Sequence, residues 1–189
     1  IKTTVDIFII HYCKILVRLF YKDIWVLRKK AKQNKSYFKV KLYHSYLDAY
    51  GCYIGIDANF EDIPVFPHGL HGIFISNKAH IGKECVIFHQ VTIGSNNLAD
   101  SRGNGAPKIG NNTYIGCGAK IIGNVNIGNN SRIGANCIVT KDVPAHALMA
   151  GIPAKQIGWV CNCGNVLDKD FNCSCGKKFK IESNCMVEQ

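Results

Sequence analysis

Four cysteines and a few histidines are the residues of this 189-residue chain with chemistry to offer. Cys161 and Cys163 recur as Cys173 and Cys175, and each pair is followed by a glycine, Gly164 or Gly176. Paired thiols on two tight turns, with glycine letting the backbone curl, suit a tetrahedral zinc ion held by four thiolates. Four protein ligands leave no open position, so the expected role is structural, with a redox-active thiol cluster as the alternative. His68 and His71 sit in PHGLHG, where a surrounding repeat slips out of register. Breaks in a regular pattern are where function and local rule collide, and imidazole is the side chain best suited to take a proton near neutral pH. His44, His80 and His146 are expected to be packing or surface residues.

These groups must be held by something, and the repeat says what. From Ile75 to Val139 an aliphatic residue recurs every sixth position: Ile75, Ile81, Ile87, Ile93, then Ile109, Ile115, Ile121, Ile127, Ile133 and Val139. A second row of smaller residues trails it at Ala79, Cys85, Val91, Thr113, Ala119, Val125, Ser131 and Cys137. Neither an α-helix, with its period of 3.6, nor a strand, with its period of 2, produces a period of six. Three short flat faces per coil, stacked as a parallel β-helix, do. Glycine following the aliphatic, and asparagine at Asn111, Asn112, Asn129 and Asn130, are expected at corners that need positive φ. Upstream, Ile56, Ile63 and Gly72–Ile73 read as imperfect rungs. Between Gly94 and Ile109 the polar stretch Ser95–Lys108 reads as a functional loop thrown from one corner.

The expected division is residues 1–52 as an N-terminal helical segment, 53–158 as the coil and 159–189 as a small four-cysteine zinc-binding module. Residues 5–31 read as one helix, with Val5, Phe8, Ile9 and Leu16 on its apolar face and Lys14, Arg18 and Lys22 along a basic stripe. It packs on the coil or another subunit, with an interfacial position on an anionic bilayer as the alternative. A second short helix near residues 43–50 would cap the open end of the coil. Net charge is +10, which suits an acidic partner; no aromatic-basic platform or reading helix points to nucleic acid. Ten scattered cysteines do not make a disulfide scaffold, so a reducing, cytoplasmic setting is expected, and Cys185 reads as unpaired and exposed.

The run PHGLHGIFIS…HIGKECVIFHQVTIG…GAPKIGNNTYIGCGAKIIGNVNIG…RIGANCIVTKDVP…AGIPAKQIG resembles the hexapeptide-repeat O-acetyltransferases, both serine acetyltransferases and capsular or exopolysaccharide O-acetyltransferases. The resemblance covers about half the chain, Pro67 through Gly158. It implies a left-handed parallel β-helix, an exception to the usual right-handed crossover, assembled as a homotrimer with sites between neighbouring coils. It also implies acetyl transfer from acetyl-CoA to a hydroxyl by a histidine base. His68 matches the family's catalytic histidine with one gap; without it that histidine falls on Gly69, which leaves His71 as the alternative, and His89 on the adjacent coil resembles the imidazole that some polysaccharide-modifying relatives use. Asp57 or Asp62 would orient the base. Gly116, Gly118 and Ala119 resemble the family's positions along the pantetheine arm, with Ala135 one or two rungs further, and Lys120, Lys141 and Lys155 are candidates for the nucleotide phosphates, Lys155 the best placed. Serine-specific members hold a second histidine just before the Pro-Lys that closes the long loop; here Ala106 stands there. That departure, the short helical segment and its basic helix favour a sugar hydroxyl of a surface polysaccharide or its precursor. Serine is the runner-up acceptor. A non-catalytic β-helix scaffold is a further reading, as is a metal-dependent hydratase with His68, His71 and His89 converging.

Overall fold

The computed structural model describes residues 4–99, 103–182 and 185–189, with side chains described from residue 12 onward save that of Cys185. The expected roles of Val5, Phe8, Ile9 and the Cys185 thiol, and part of the long loop, lie outside the described residues.

The six-residue period does build a triangular parallel coil. Its first face stacks Ile54, Ile75, Ile93, Ile121 and Val139 in register. The second stacks Phe60, Ile81, Ile109 and Ile127, and the third Ile87, Ile115, Ile133 and Met149. The trailing row fills the space beside these rungs and is buried throughout. Its two hydroxyls are satisfied locally: Thr113 Oγ1 donates to the Gly110 carbonyl at 2.8 Å and Ser131 Oγ to that of Gly128 at 2.6 Å. A polar atom in this core is tolerated only because it is paired.

Two details differ from the sequence reading. The first coil's rungs are Ile54 and Phe60, not Ile56 and Ile63; Ile63 is 51% exposed. Three more residues separate Ile54 from Ile75 than separate Ile75 from Ile93, and the surplus falls in the His68–Gly72 segment. Secondly, the repeat glycines do not serve the corners. The left-handed positions fall on Gly72, Gln90, Gly118 and Asn136 along one edge, and on Glu84, Asn112, Asn130 and His146 along another. The repeat glycines keep negative φ and lie where one coil presses on the next. A Cβ on Gly116 would stand 2.7 Å from the Ala135 nitrogen, and one on Gly110 2.8 Å from that of Asn129. The period demands glycine for space.

The single long helix expected at the start is two helices, α1 (Thr4–Tyr21) and α2 (Ile24–Asn34). Lys22 turns left-handed, and Asp23 caps α2, its carboxylate accepting the Trp25 and Val26 N–H groups at 2.9 Å each. An aspartate is worth more at a helix start than inside one, so the chain breaks there. The basic stripe is interrupted with it: Lys14 lies 4.4 Å from the centre of the Tyr50 ring, and Lys22 is outside both helices. α3 (Tyr37–Asp48) is longer than expected and does cap the coil. Its Tyr43 is fully buried, donating its hydroxyl to the Ile54 carbonyl at 2.9 Å, and burial pushes that hydroxyl's pKa well above the usual phenol range. Among the described residues no helix is long and apolar enough to cross a membrane.

At the far end Ala147–Ala150 pairs antiparallel with Lys155–Trp159, and the chain passes into the cysteine module. That module's core is small: Cys161, Leu167, Cys173, Phe179 and Met186, with Trp159 and Phe171 packed beside it.

Candidate active site and thiol cluster

One edge of the prism, between the third and first faces, collects the candidate chemistry. Gln90 N–H donates to the His71 carbonyl (2.9 Å), Gly118 N–H to that of His89 (3.1 Å) and Asn136 N–H to that of Cys117 (2.8 Å). His71, His89, Cys117 and Ala135 therefore occupy equivalent corners of successive coils, each followed by a left-handed residue. Three extra residues in the first coil lift His68 over this same edge. Its Nδ1 meets Nδ1 of His89 at 3.0 Å, and its ring stands edge-on to Phe88 with centroids 5.3 Å apart. His71 turns instead toward Tyr50, centroids 5.3 Å apart. Two imidazoles meet; the third does not join them, so the three histidines do not form a common metal site.

An Nδ1···Nδ1 contact has one chemical consequence. One nitrogen must donate and the other accept, so the two rings hold complementary tautomers. The ring that donates through Nδ1 carries a lone pair on Nε2. Its partner carries a proton on Nε2. The pair thus presents a base and a hydrogen-bond donor side by side.

Neither Asp57 nor Asp62 reaches an imidazole. Asp62 accepts the N–H of its neighbour Ile63 at 2.8 Å, and the Asp57 carbonyl faces Lys32. His89 takes the place that a carboxylate was expected to fill. His80 is held by Asn59 through Nδ1 and Glu61 through Nε2, both at 2.9 Å. His146 is buried between Asn130 and the Val160 carbonyl. His146 is thus a packing residue and His80 a partly exposed surface one.

Of the expected cofactor positions, Gly118 and Ala135 stand on the histidine edge in successive coils, whereas Gly116 is buried directly beneath Ala135 and Ala119 is fully buried in the trailing row, its N–H and carbonyl both bonded to backbone. The Lys120 ammonium donates to the Gln90 carbonyl at 2.8 Å, so it is tied to this edge too. Lys155 is exposed and follows Ala154, whose N–H bonds the Ile138 carbonyl at 2.9 Å on the last coil of the first face. Lys141 is exposed on a different edge, beside Asp142, and the structure does not bring it to the histidines. The long loop also leaves from that other edge, where Asn96 and Gly105 exchange backbone bonds of 2.8 and 2.9 Å.

The four module cysteines do converge: their sulfurs all lie within 4.8 Å of one another, the only such donor group of three or more among the described residues. Cys161 meets Cys175 at 3.6 Å and Cys163 meets Cys173 at 3.5 Å. The two turns are copies. Gly164 N–H donates to Cys161 and Gly176 N–H to Cys173, with both glycines at φ 92°. Tetrahedral zinc–thiolate geometry, with bonds near ~2.3 Å, places sulfurs roughly 3.8 Å apart, so the donor set fits. The Asn165 N–H pulls the Cys163 thiol down to about 7, while burial pushes Cys161 up to about 12. Sequence spacing missed how the module is seated. The Arg132 guanidinium lies 4.9 Å from the Tyr114 ring centre and closes on the Gly164 turn, and Asn112 donates to the Asn162 carbonyl at 3.2 Å. No local pattern marks these contacts.

Residues 106–141 match the bacterial transferase hexapeptide (six repeats) family. The chain is 39% identical over 94 residues to a serine acetyltransferase of Mycobacterium tuberculosis, covering 50% of this chain and 40% of that one. It is 33% identical over 135 residues to serine acetyltransferase 4 of Arabidopsis thaliana, covering 71% and 37%. Among solved structures it is similar to the serine acetyltransferase of Neisseria gonorrhoeae (TM-score 0.63, 27% identity, 76% of this chain and 56% of that one). It is also similar to that of Brucella abortus in complex with coenzyme A (TM-score 0.63, 30%, 72% and 53%). The chain thus spans well under half the length of these curated relatives. Superposition of this extent requires the same sense of winding, the left-handed one that the resemblance implied.

Proposed function

We propose a function from the premise that this chain is a hexapeptide-repeat β-helix similar to the serine acetyltransferases: it transfers acetyl from acetyl-CoA to a hydroxyl. The observation that carries the proposal is the His68–His89 pair, standing on the same edge as Gly118 and Ala135. His68, on the irregular loop, acts as base through Nε2, its Nδ1–H donating to His89. As the acceptor hydroxyl attacks the thioester carbonyl, its proton passes to His68, and the imidazolium is steadied by His89 in place of a carboxylate. The carbonyl electrons move onto oxygen, where the Nε2–H of His89 is the donor for the developing oxyanion. Collapse breaks the C–S bond; the CoA thiolate regains the proton from His68, leaving an acetyl ester and free CoA.

A convex edge supplies one wall of a cleft. We place the other wall on a neighbouring copy in a three-fold homotrimer, whose heterologous contact brings the histidine edge of one protomer to a different edge of the next. The loop edge, with Lys141, is the natural counterpart. In that arrangement the pantetheine arm runs past Gly118 and Ala135, which stand at the surface of the edge, with Gly116 and Ala119 buried behind them. Lys155 meets the phosphates, while Lys120 is spent on the Gln90 carbonyl.

Serine is the acceptor that the relatives support, in preference to the polysaccharide hydroxyl that the sequence favoured. Ala106 removes one histidine of the serine-specific pattern, and the His68–His89 pair supplies two imidazoles without it. The four thiols hold a structural zinc ion, which adds no step to the reaction. Purified protein given acetyl-CoA and L-serine should release CoA, and His68→Ala should lower kcat by about 10²–10⁴ with folding intact. Undiminished turnover in His68→Ala would overturn the assignment, and turnover on sugars but not serine would restore the polysaccharide reading.

A further inference from the structure

Nearly all of the chain's net charge lies in one short stretch. Between Tyr12 and Leu47 there are ten Lys or Arg residues and a single acid, Asp23, in a chain whose net charge is +10. Asp23 is spent on the cap of α2, and the stretch holds no second acid to offset the cations. Large apolar side chains stand in solvent in the same place. Leu19 is 72% exposed, Phe20 68% and Phe38 64%. Phe20 and Phe38 line one cleft with Lys30 and Lys39, and the surface continues past Leu19 to Arg18 and Lys22. An isolated exposed leucine means nothing, but a contiguous apolar group ringed by cations marks a contact surface.

We propose that this end of the helical segment docks on an anionic lipid bilayer. Leu19, Phe20 and Phe38 enter the boundary between headgroups and acyl chains, and Arg18, Lys22, Lys30 and Lys39 meet the lipid phosphates. The chain lies on the membrane, in keeping with helices too short and too charged to cross one among the described residues. Charge decides between occupants. A second copy would bring cation against cation, and a nucleic acid would satisfy the charge but has no use for a protruding leucine. The inference stands independently of acetyl transfer.

The test is co-sedimentation of the full chain with vesicles of phosphatidylcholine alone and with roughly 30 mol% phosphatidylserine. Binding is expected only with phosphatidylserine and should fall as salt rises. Phe20→Ser/Phe38→Ser should bind at least tenfold more weakly with an unchanged circular dichroism spectrum, and Lys30→Glu/Lys39→Glu should lose binding; acetyl transfer in solution should persist in both. Three results would overturn the proposal. One is no binding to the anionic vesicles. Another is binding indifferent to the Phe20/Phe38 change, which would show adsorption of any polyanion, heparin or RNA included. The last is an assembly that the Phe20/Phe38 variant dissociates, which would assign the surface to a second copy.

Discussion

The coil and the thiol module are held together by opposite means. In the coil nearly every rung buries an aliphatic residue against the next, and the core runs unbroken from α3 to Met149. In the module the buried cluster among the described residues has five members, two of them cysteines. A core that small does not support a fold without a staple. The thiols make the same point. Burial pushes Cys85 and Cys137 up, so they remain protonated fillers. In the module burial likewise pushes Cys161 up to about 12, but Cys163 is pulled down to about 7, toward the thiolate that a metal requires. Repetition stabilises one region; the other converges four thiols on a point where the proposed ion would act as its staple.

Metal removal should break the comparison most visibly. Chelation, or Cys161→Ser, should unfold the module while the coil keeps its protection, since apparent zinc-binding energies of about 10–16 kcal/mol in small thiolate sites are folding energy. Hydrogen exchange across Val160–Phe179 and Ile75–Val139 would read the two separately, and equal protection in both after chelation would end the distinction. Within the coil, Ile115→Ala should cost about 2–5 kcal/mol in urea unfolding.

Glycine sharpens the contrast further. Gly116→Ala should destabilise by about 1–3 kcal/mol, because its Cβ meets the next coil's backbone. A Gly116→Ala variant as stable as the parent would show that the coils can part there. Tyr43→Phe leaves the Ile54 carbonyl unpaired under the helical cap and should cost about 1–2 kcal/mol by thermal unfolding. In the module, Gly176→Ala meets nothing within 4 Å, so its cost, of order 1 kcal/mol, should come from φ 92° alone. Smallest is Val65→Ala, at a 59% exposed position, which should cost less than about 0.5 kcal/mol.

The coil was legible because its period is local. Each aliphatic position repeats the one six residues earlier, and stacking follows from the pattern wherever it is regular. The zinc-type quartet was legible for the same reason, as two copies of one turn. The helix break was also written locally, in Asp23, though a run of apolar residues on both sides hid it. The corner glycines were misread: a sequence shows where glycine recurs, but not whether it is spared a Cβ for φ or for space.

By itself the sequence determined a stacked coil, two paired-thiol turns, and His68 and His71 in the one broken rung. Only the tertiary structure decided that His68 meets His89, that His71 faces Tyr50, and that neither Asp57 nor Asp62 joins them. The reason is physical. A periodic chain places its regular residues by counting, whereas the reach of an irregular insertion across an edge depends on the path of a few residues that obey no period. Chemistry here depends on that path, because one extra turn of loop carries an imidazole from its own coil onto the next.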